Sequence, residues 1–301
     1  GGYLRAGAIL LNDGRVRETL GGVWSGQAGP GRLLVGASIQ GRRNPKEKTS
    51  WRYDEPGGVL DNIELQSDTR NGTDYTFNAA YEVQVGGGDL ELSGLFVRTD
   101  RFADEDSWEY QDGNIRNRDL SVTNDNNVDI TTDNWSLNGK FTREMFGGKT
   151  RFKAGYAVFD DQQDEIEEEY EYLRDSNPFP EDDRFTGDLT HSRLKDKELS
   201  LAIEHERELG FATVEFGVQF VDKNRDTDIT TDRNRVTIPN PPAARPPLPG
   251  VYGPFLPVPG GVNKIEETRI DPYLMFSGGQ DALKWEAGLR YETTSSKITD
   301  E

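Results

Sequence analysis

The fold is decided by the stretch TDYTFNAAYEVQV, residues 73–85, which alternates between two kinds of side chain. From Tyr75 onward its odd-numbered positions are aromatic or aliphatic, whereas the even-numbered positions are polar or small. Successive side chains of a β-strand point to opposite faces, so this period of two predicts a strand with one apolar and one polar face. The glycines at 86–88 then predict a tight turn into a second alternating strand.

The same hairpin pattern recurs along the chain and predicts about eleven strands. Further alternating segments meet at turns near Gly147, Gly210 and Gly278, and the opening residues add strands around turns at 12–14 and 25–31. The clearest predicted strands are residues 3–11, 33–39, 73–85, 90–97, 134–142, 152–158, 199–203, 214–220, 270–276 and 283–291.

The connections between these strands alternate between short turns and long segments. The long ones are residues 43–72, 99–132, 160–196 and 222–264. Structureless loops of that length are uncommon in compact soluble domains, whereas a transmembrane barrel has short turns at one end and long loops at the other. We therefore expect an all-β fold, an antiparallel transmembrane β-barrel with long extracellular loops, lipid on its apolar face and water on its polar face.

Composition excludes several classes of partner and site. The 301 residues include 35 basic and 54 acidic side chains, for a net charge of −19, which argues against nucleic acid as a partner because phosphate recognition needs a basic surface. The absence of cysteine rules out disulfides and thiolate metal sites. No run of apolar residues reaches the length of a transmembrane helix.

Several stretches resemble TonB-dependent outer-membrane receptors. Residues 269–276 (RIDPYLMF) and 283–293 (LKWEAGLRYET) resemble a mid-barrel hairpin of that family. Residues 2–7 (GYLRAG) resemble its first barrel strand, and residues 42–48 (RRNPKEK) resemble an early barrel loop. The resemblance covers essentially the whole chain, although it lies in the pattern more than in a diagnostic motif.

The resemblance implies a location in the bacterial outer membrane. Members of the family have a 22-stranded barrel filled by an N-terminal plug, and a segment near the N-terminus binds TonB. Residues 1–301 would then be the N-terminal half of the barrel without the plug, because eleven strands cannot close an even-numbered antiparallel barrel and an open edge in lipid is costly. Implied partners are the TonB complex, through an N-terminal region absent from these residues, and outer-membrane lipid with lipopolysaccharide.

The function implied by the resemblance is energised uptake of a scarce nutrient. The ligand would most commonly be a ferric siderophore, with a corrinoid or a saccharide as alternatives. A different class of protein, a secreted or surface all-β module with a binding or structural role, would also explain the alternating strands.

Aromatic residues in the predicted loops are candidate substrate contacts, because they find no lipid there and their rings stack on sugars or catecholates. Packing of the loops against one another is the competing explanation for each. The candidates are Trp51, Tyr53, Trp108, Tyr110, Tyr170, Tyr172, Tyr252 and Phe255.

Acidic charge is concentrated in two of the predicted loops, residues 99–132 and 160–196, whose net charges are −6 and −10. They would form a solvated outer surface, attract a cationic ligand, or hold divalent cations that bridge lipopolysaccharide phosphates. The oxygen-rich runs 125–129 and 160–164 suggest calcium, but neither follows the spacing of an EF-hand, so a metal site stays undecided. Residues 165–171 are expected to form a short exposed helix, and the proline-rich residues 239–261 a semi-rigid loop.

Nothing in the sequence indicates catalysis. His191 and His205 are the only histidines, too few for a histidine metal centre, and no phosphate loop, dinucleotide motif or nucleophile elbow is present. We therefore expect a protein that is not an enzyme and carries no cofactor.

Overall fold

A computed structural model describes residues 1–54, 58–111, 113–173, 181–239, 254–280 and 283–300. These residues form one antiparallel meander in which the strands pair in sequence order from the first to the eleventh and the twelfth pairs with the tenth, so the all-β prediction is confirmed. A 3-10 turn (Asn117–Asp119) precedes the sixth strand. The strands are β1 (Gly2–Leu10), β2 (Val16–Ala28), β3 (Gly31–Tyr53), β4 (Leu60–Val85), β5 (Gly88–Gln111), β6 (Leu120–Met145), β7 (Gly148–Glu171), β8 (Asp183–Glu208), β9 (Thr213–Ile238), β10 (Leu256–Gln280), β11 (Leu283–Arg290) and β12 (Thr293–Asp300).

The last two strands are one strand with an interruption. Both β11 and β12 pair with β10, and the register is the same on both sides of the gap: Tyr273 faces Arg290 and Ile270 faces Thr293. The gap lies opposite Pro272, which has no N–H to donate to the ladder. The Pro272 carbonyl still accepts from the Tyr291 N–H at 3.0 Å. The sheet therefore has eleven continuous strands, as the sequence predicts.

Cross-strand register places the apolar residues of neighbouring strands on a common face. Phe77 faces Phe96, which in turn faces Trp135 on β6. Residues directly opposite each other in an antiparallel pair share a face. A second row runs toward the short turns through Val83, Leu90, Phe141, Phe152, Ile203 and Val218. We call the band that these rows define the apolar band.

The opposite face of the same segment is polar. Asn138 faces Ser93 on one side and Gly155 on the other. Next to them two ion pairs cross strands, from Lys140 Nζ to Glu91 at 2.9 Å and from Lys153 Nζ to Glu204 at 2.5 Å. The predicted division of each strand into an apolar and a polar face is confirmed.

Two-residue turns close the hairpins at one end of the sheet. Gly86 and Gly87 both have positive φ (61° and 75°), as do Phe146 and Gly147 (56° and 75°). Two consecutive positive φ values are the geometry of a type I′ turn, which matches the twist of the flanking strands. Phe146 is the only non-glycine residue with positive φ among the described residues, and it adopts a conformation that costs a side-chain-bearing residue roughly 1–2 kcal/mol.

The predicted long loops are for the most part paired strand, which corrects their extent. β3 through β10 continue well past the apolar band, and the connections shrink to residues 54–59, 112–119, 172–182 and 239–255. The sequence pattern hides these extensions because both of their faces carry polar groups. Backbone pairing does not require an apolar face, and cross-strand ion pairs such as Arg233 to Asp188 support it.

The expected helix at residues 165–171 is also wrong, because this segment belongs to β7. In a helix its glutamates would repel one another at i,i+4. In the strand, Glu165 and Glu167 accept hydrogen bonds from Asn126 and Asn124 of β6, at 2.9 and 3.0 Å. Of the proline-rich loop, residues 256–261 belong to β10, and residues 240–253 lie outside the described part of the chain.

The two edges of the sheet are separate over the described ranges. β1 pairs with β2 alone, and the β11 and β12 edge pairs with β10 alone. The expectation that residues 1–301 form half of a 22-stranded barrel therefore stays a prediction. Among these residues, no helix is long and apolar enough to cross a bilayer.

Arginine at Phe77, Leu137 or Val218 should be damaging, because each side chain lies on the apolar band. A charge on a lipid-facing position near mid-membrane costs about 2–4 kcal/mol. Chemical unfolding in detergent or lipid would measure the loss.

The neighbouring positions provide the controls, since Asn78, Asn138 and Gln219 point to the polar face. Arginine at these three positions should leave the unfolding midpoint nearly unchanged. Equal damage on both faces would contradict a membrane-exposed apolar band and favour a core covered on both sides.

Candidate functional site

The predicted substrate contacts lie on the parts of the strands beyond the apolar band, which we call the strand extensions. A strand of 26 residues such as β6 is about 85 Å long at ~3.3 Å per residue, whereas crossing a membrane takes ~9–11 residues. About half of each long strand or more therefore projects past the band. The extensions are residues 41–53, 60–72, 99–111, 120–132, 161–171, 183–196, 222–238 and 256–268.

Four of the predicted residues come together in one cluster. Tyr170 and Tyr172 are each 2% exposed, and their ring centroids lie 4.7 Å apart. The Tyr170 hydroxyl donates to Asp183 Oδ2 at 3.1 Å, and this aspartate is fully buried. The aromatic cluster is completed by Leu120, Phe185, Trp108, Tyr110 and Ile238.

Strand register explains why these residues meet. Tyr170 faces Thr123 on one side and Phe185 on the other. A register shift next to Tyr110 places its ring opposite Leu120. The Tyr172 N–H then continues the pairing beyond β7 by donating to the Ser121 carbonyl at 2.7 Å. Residues far apart in sequence thus form a packed apolar centre for the extensions.

The other predicted residues are placed separately. Trp51 and Tyr53 lie at the far end of β3 and are 55% and 58% exposed. Phe255 lies just before β10, and its ring packs over Gly187, where an added Cβ would be 3.0 Å away. Tyr252 lies outside the described residues.

The rings also share a face of the sheet. Trp108 is separated from Phe96 by an even number of residues in β5, and Tyr170 is related in the same way to Val158 in β7. They therefore lie on the side that carries the apolar band, not on the polar side. A ligand that contacts these rings has to approach from that side, and their role in substrate binding stays a prediction.

The polar face of the extensions carries a ladder of amides and carboxylates. Asn62 Nδ2 donates to Glu109 Oε1 at 2.5 Å, and the two asparagine to glutamate bonds between β6 and β7 continue the pattern. Partial burial is the main cause that raises the pKa of Glu169 above its usual value, and repulsion from Glu171, Glu167 and Glu109 adds to it. This wall is strongly acidic and complements a cationic ligand rather than an anionic one.

Arginines neutralise the acidic groups on the neighbouring strands. Arg233 and Arg225 make two-pronged contacts with Asp188 and Asp196, all at 2.6–2.7 Å. The hydrogen bond from Arg233 holds the pKa of Asp188 below its usual value. The uncompensated acidity is therefore concentrated on β5, β6 and β7.

Three carboxylates converge on the other side of β5 and β6, and of these the sequence analysis considered only Asp125, as part of the run 125–129. Oxygens of Asp104, Asp106 and Asp125 all lie within 4.8 Å of one another, and burial together with the two neighbours raises the pKa of Asp106. The signal is visible only in the register, since Asp106 faces Asp125 across the ladder. By contrast, successive side chains in runs 125–129 and 160–164 point to opposite faces of their strands. The oxygens of each run therefore do not converge on one point, as they would in a loop. Carboxylate oxygens suit Ca²⁺, and a metal site here stays a hypothesis.

Comparison with known proteins adds little to this description of the site. No family model matches the sequence, and no curated protein matches it. Among solved structures, the chain is similar to the toluene transporter TodX of Pseudomonas putida, with 7% identity over 99% of this chain and 86% of that chain, at a TM-score of 0.22. A score that low carries no argument about function.

Truncation of Tyr172 to alanine should destabilise the extensions strongly. Removing a buried aromatic ring from a packed centre costs about 3–5 kcal/mol. The matched control is Trp51→Ala, which removes a half-exposed ring and should cost below about 1 kcal/mol. Denaturant unfolding followed by circular dichroism separates the two, and equal losses would show that the aromatic cluster is not the centre of the extensions.

Glu169→Gln should stabilise the protein at pH 7, because a raised pKa means that folding disfavours the charged carboxylate. The gain should be small, because solvent screens the charge of a side chain that is only partly buried. It should disappear as the pH falls through the raised pKa, where the native glutamate becomes protonated. Unfolding midpoints measured between pH 3 and pH 8 would show this dependence.

Asp160→Asn should have the opposite sign and serves as the comparison. Hydrogen bonds from Arg193, at 3.0 and 2.7 Å, are the main reason that the pKa of Asp160 falls to about 2. The contribution of this aspartate, about 1–2 kcal/mol, is present above the unfolded pKa of ~4 and is lost as the pH falls toward 2. The same sign for both substitutions would contradict this assignment of charges.

Proposed function

We propose that the chain forms the membrane-spanning wall of an outer-membrane β-barrel transporter. One observation carries the proposal: the apolar band is exposed. Phe77, Leu137 and Phe216 retain 50%, 60% and 48% of their accessible surface, although they belong to well-paired strands. Apolar surface of this extent in a folded protein marks contact with a membrane or another apolar partner.

The position of the packed centre supports a membrane over a soluble sandwich. A soluble all-β module would bury its alternating apolar face against a second sheet. Among the described residues, however, the buried apolar side chains that pack together as a cluster are Leu120, Tyr170, Tyr172 and Phe185, which lie at the extensions and not on the band. The apolar band has lipid as its natural cover, and the antiparallel meander pairs the backbone groups of its inner strands, as a bilayer requires.

Aromatic side chains border the band. At the short-turn end Trp24, Phe216 and Trp285 are 44%, 48% and 40% exposed. At the other border, Tyr75 and Trp135 lie next to the acidic extensions of their strands. Rings at both water interfaces are typical of transmembrane barrels. By the usual topology of such barrels, the extensions face the cell exterior and the short turns face the periplasm.

The polar face provides the route for a solute. It runs from the acidic extensions, past the alternating charges Glu91, Lys140, Lys153 and Glu204, to the short turns. A wall of this kind keeps water along the whole crossing, which a transporter requires and a purely structural module does not. The resemblance to TonB-dependent receptors supports energised uptake of a scarce nutrient, with a ferric siderophore as the expected ligand.

Single cysteines test the barrel directly, since the natural sequence contains none. Asn138→Cys and Gln219→Cys should react with a water-soluble maleimide, because both positions line the polar face. Leu137→Cys and Val218→Cys, one residue away, should be protected by lipid after insertion into vesicles. Reaction at all four positions, or a chain that stays monodisperse without detergent, would favour the secreted module instead.

Ligand class is tested by titrating the full chain with ferric catecholates, ferric hydroxamates, a corrinoid and an oligosaccharide, with tryptophan fluorescence as the readout. A ferric siderophore should quench the fluorescence, and Trp51→Phe should remove part of the quenching. Trp285→Phe is the control, because Trp285 lies at the short-turn end. If the cysteine pattern holds but only a saccharide or corrinoid binds, the transporter stands and the siderophore is wrong.

A further inference from the structure

An apolar groove lies on the band at the short-turn end, across β7, β8 and β9. It has a volume of about 500 Å³, within the range of small-molecule sites. Its apolar lining is exposed, from 37% at Val218 to 81% at Phe146. The lining side chains are Phe146, Thr150, Phe152, Ile203, His205, Phe216 and Val218.

The turn between β6 and β7 forms the wall of the groove nearest the water. Phe146 holds its ring at this edge from a left-handed backbone position, with φ of 56°. A residue with a side chain rarely adopts this conformation. Glycine or asparagine would suit the turn better, so the phenylalanine has a role other than turn formation.

A buried polar pair lies at the same end. Thr150 Oγ1 and His205 Nδ1 are 2.9 Å apart, and the two residues are only 3% and 9% exposed. The imidazole packs against Phe216, with ring centroids 5.2 Å apart. Its Nε2 points toward the turn, where a Cβ on Gly148 would lie 3.0 Å away. The groove is thus apolar along most of its lining and becomes polar at Thr150 and His205, next to the turn.

Two arginines flank this polar end on the same face. Arg143 lies directly opposite Thr150, and Arg207 follows His205 by two residues on β8. The Arg207 guanidinium carbon would be 3.4 Å from a Cβ on Gly147, over the turn between β6 and β7. The Arg143 Nε would be 3.8 Å from a Cβ on Gly87, which places this second charge over the neighbouring turn between β4 and β5. Both arginines are exposed.

These two guanidiniums differ from two other arginines near the band. Arg98 and Arg151 are paired with Asp100 and Glu206. Over the described part of the chain, the Arg143 and Arg207 side chains have neither an ion pair nor a hydrogen bond. Two unpaired cations at the border of an apolar surface, in a chain of net charge −19, call for an anionic partner.

We propose that this groove binds a glycerophospholipid, with one acyl chain along Phe152, Ile203 and Val218 and the phosphate between Arg143 and Arg207. The assignment rests on the membrane placement proposed above. Guanidinium groups form paired, charge-assisted hydrogen bonds with phosphate. The groove opens onto the face that lipid covers, so a membrane lipid reaches it without leaving the bilayer, whereas free phosphate would use only the arginines.

Native mass spectrometry of the detergent-solubilised chain, titrated with phosphatidylglycerol, tests the site. One lipid should bind more tightly than the rest. The double variant Arg143→Gln, Arg207→Gln should weaken that lipid about tenfold or more, since charge-assisted hydrogen bonds of this kind are typically worth more than one decade. The control is Arg98→Gln, at the opposite border of the band, which should bind the lipid as the natural chain does.

Filling the groove tests the acyl chain. Val218→Trp should weaken the tight lipid at least as much as the arginine double variant, whereas Leu137→Trp, on the same face outside the groove, should not. Diacylglycerol and glycerol 3-phosphate are the two partial probes, and each should bind far more weakly than phosphatidylglycerol. Equal binding of diacylglycerol would overturn the role of the arginines, and equal binding of glycerol 3-phosphate would overturn the role of the groove.

Flotation with lipid vesicles separates failure of this site from failure of the proposed function. A natural chain that does not float with vesicles would refute the membrane placement and the lipid site together. A chain that floats, but binds phosphatidylglycerol equally well with and without Arg143 and Arg207, would refute the lipid site alone.

Discussion

Every other feature of this structure depends on the backbone register between neighbouring strands. Side chains alternate with a period of two, so a slip of one residue would move the whole apolar band of a strand to the polar face. From β4 to β8 the register holds from the short turns to the far ends, with a shift only next to Tyr110. The type I′ turns at 86–87 and 146–147 set that register at one end. The apolar band, the acidic wall and the aromatic cluster follow from it.

The part of the fold that could be predicted from sequence is the part where one face is apolar. Phe77, Leu137 and Val218 sit in segments whose alternation is visible by eye, and the structure confirms their facing. The extensions could not be predicted in this way, because Glu165 and its neighbours are polar on both faces. Their pairing depends on partners such as Asn126, about forty residues away, which local pattern does not reveal.

The candidate site shows the same division. The sequence alone predicts that aromatic rings accumulate beyond the band, and four of the eight predicted rings do meet. Which of them meet is a property of register: Tyr170 reaches Phe185 across one ladder, while Trp51 lies two strands from Trp108. The convergence of Asp106 with Asp125 was invisible for the same reason, as was the position of Arg207 beside a groove formed by three strands.

Strand parity restricts how the sheet can be completed. With eleven antiparallel strands, β1 and the β11 and β12 edge run in the same direction, so pairing these two edges would be parallel. Joining a second copy in the same membrane orientation does not help, because at each junction an edge of one copy would again meet an edge of the other that runs in the same direction. A closed barrel with antiparallel pairing throughout therefore needs an odd number of further strands between the two edges. The half-barrel expectation satisfies that condition, since eleven more strands would complete twenty-two with every neighbour antiparallel and no unpaired backbone left in lipid.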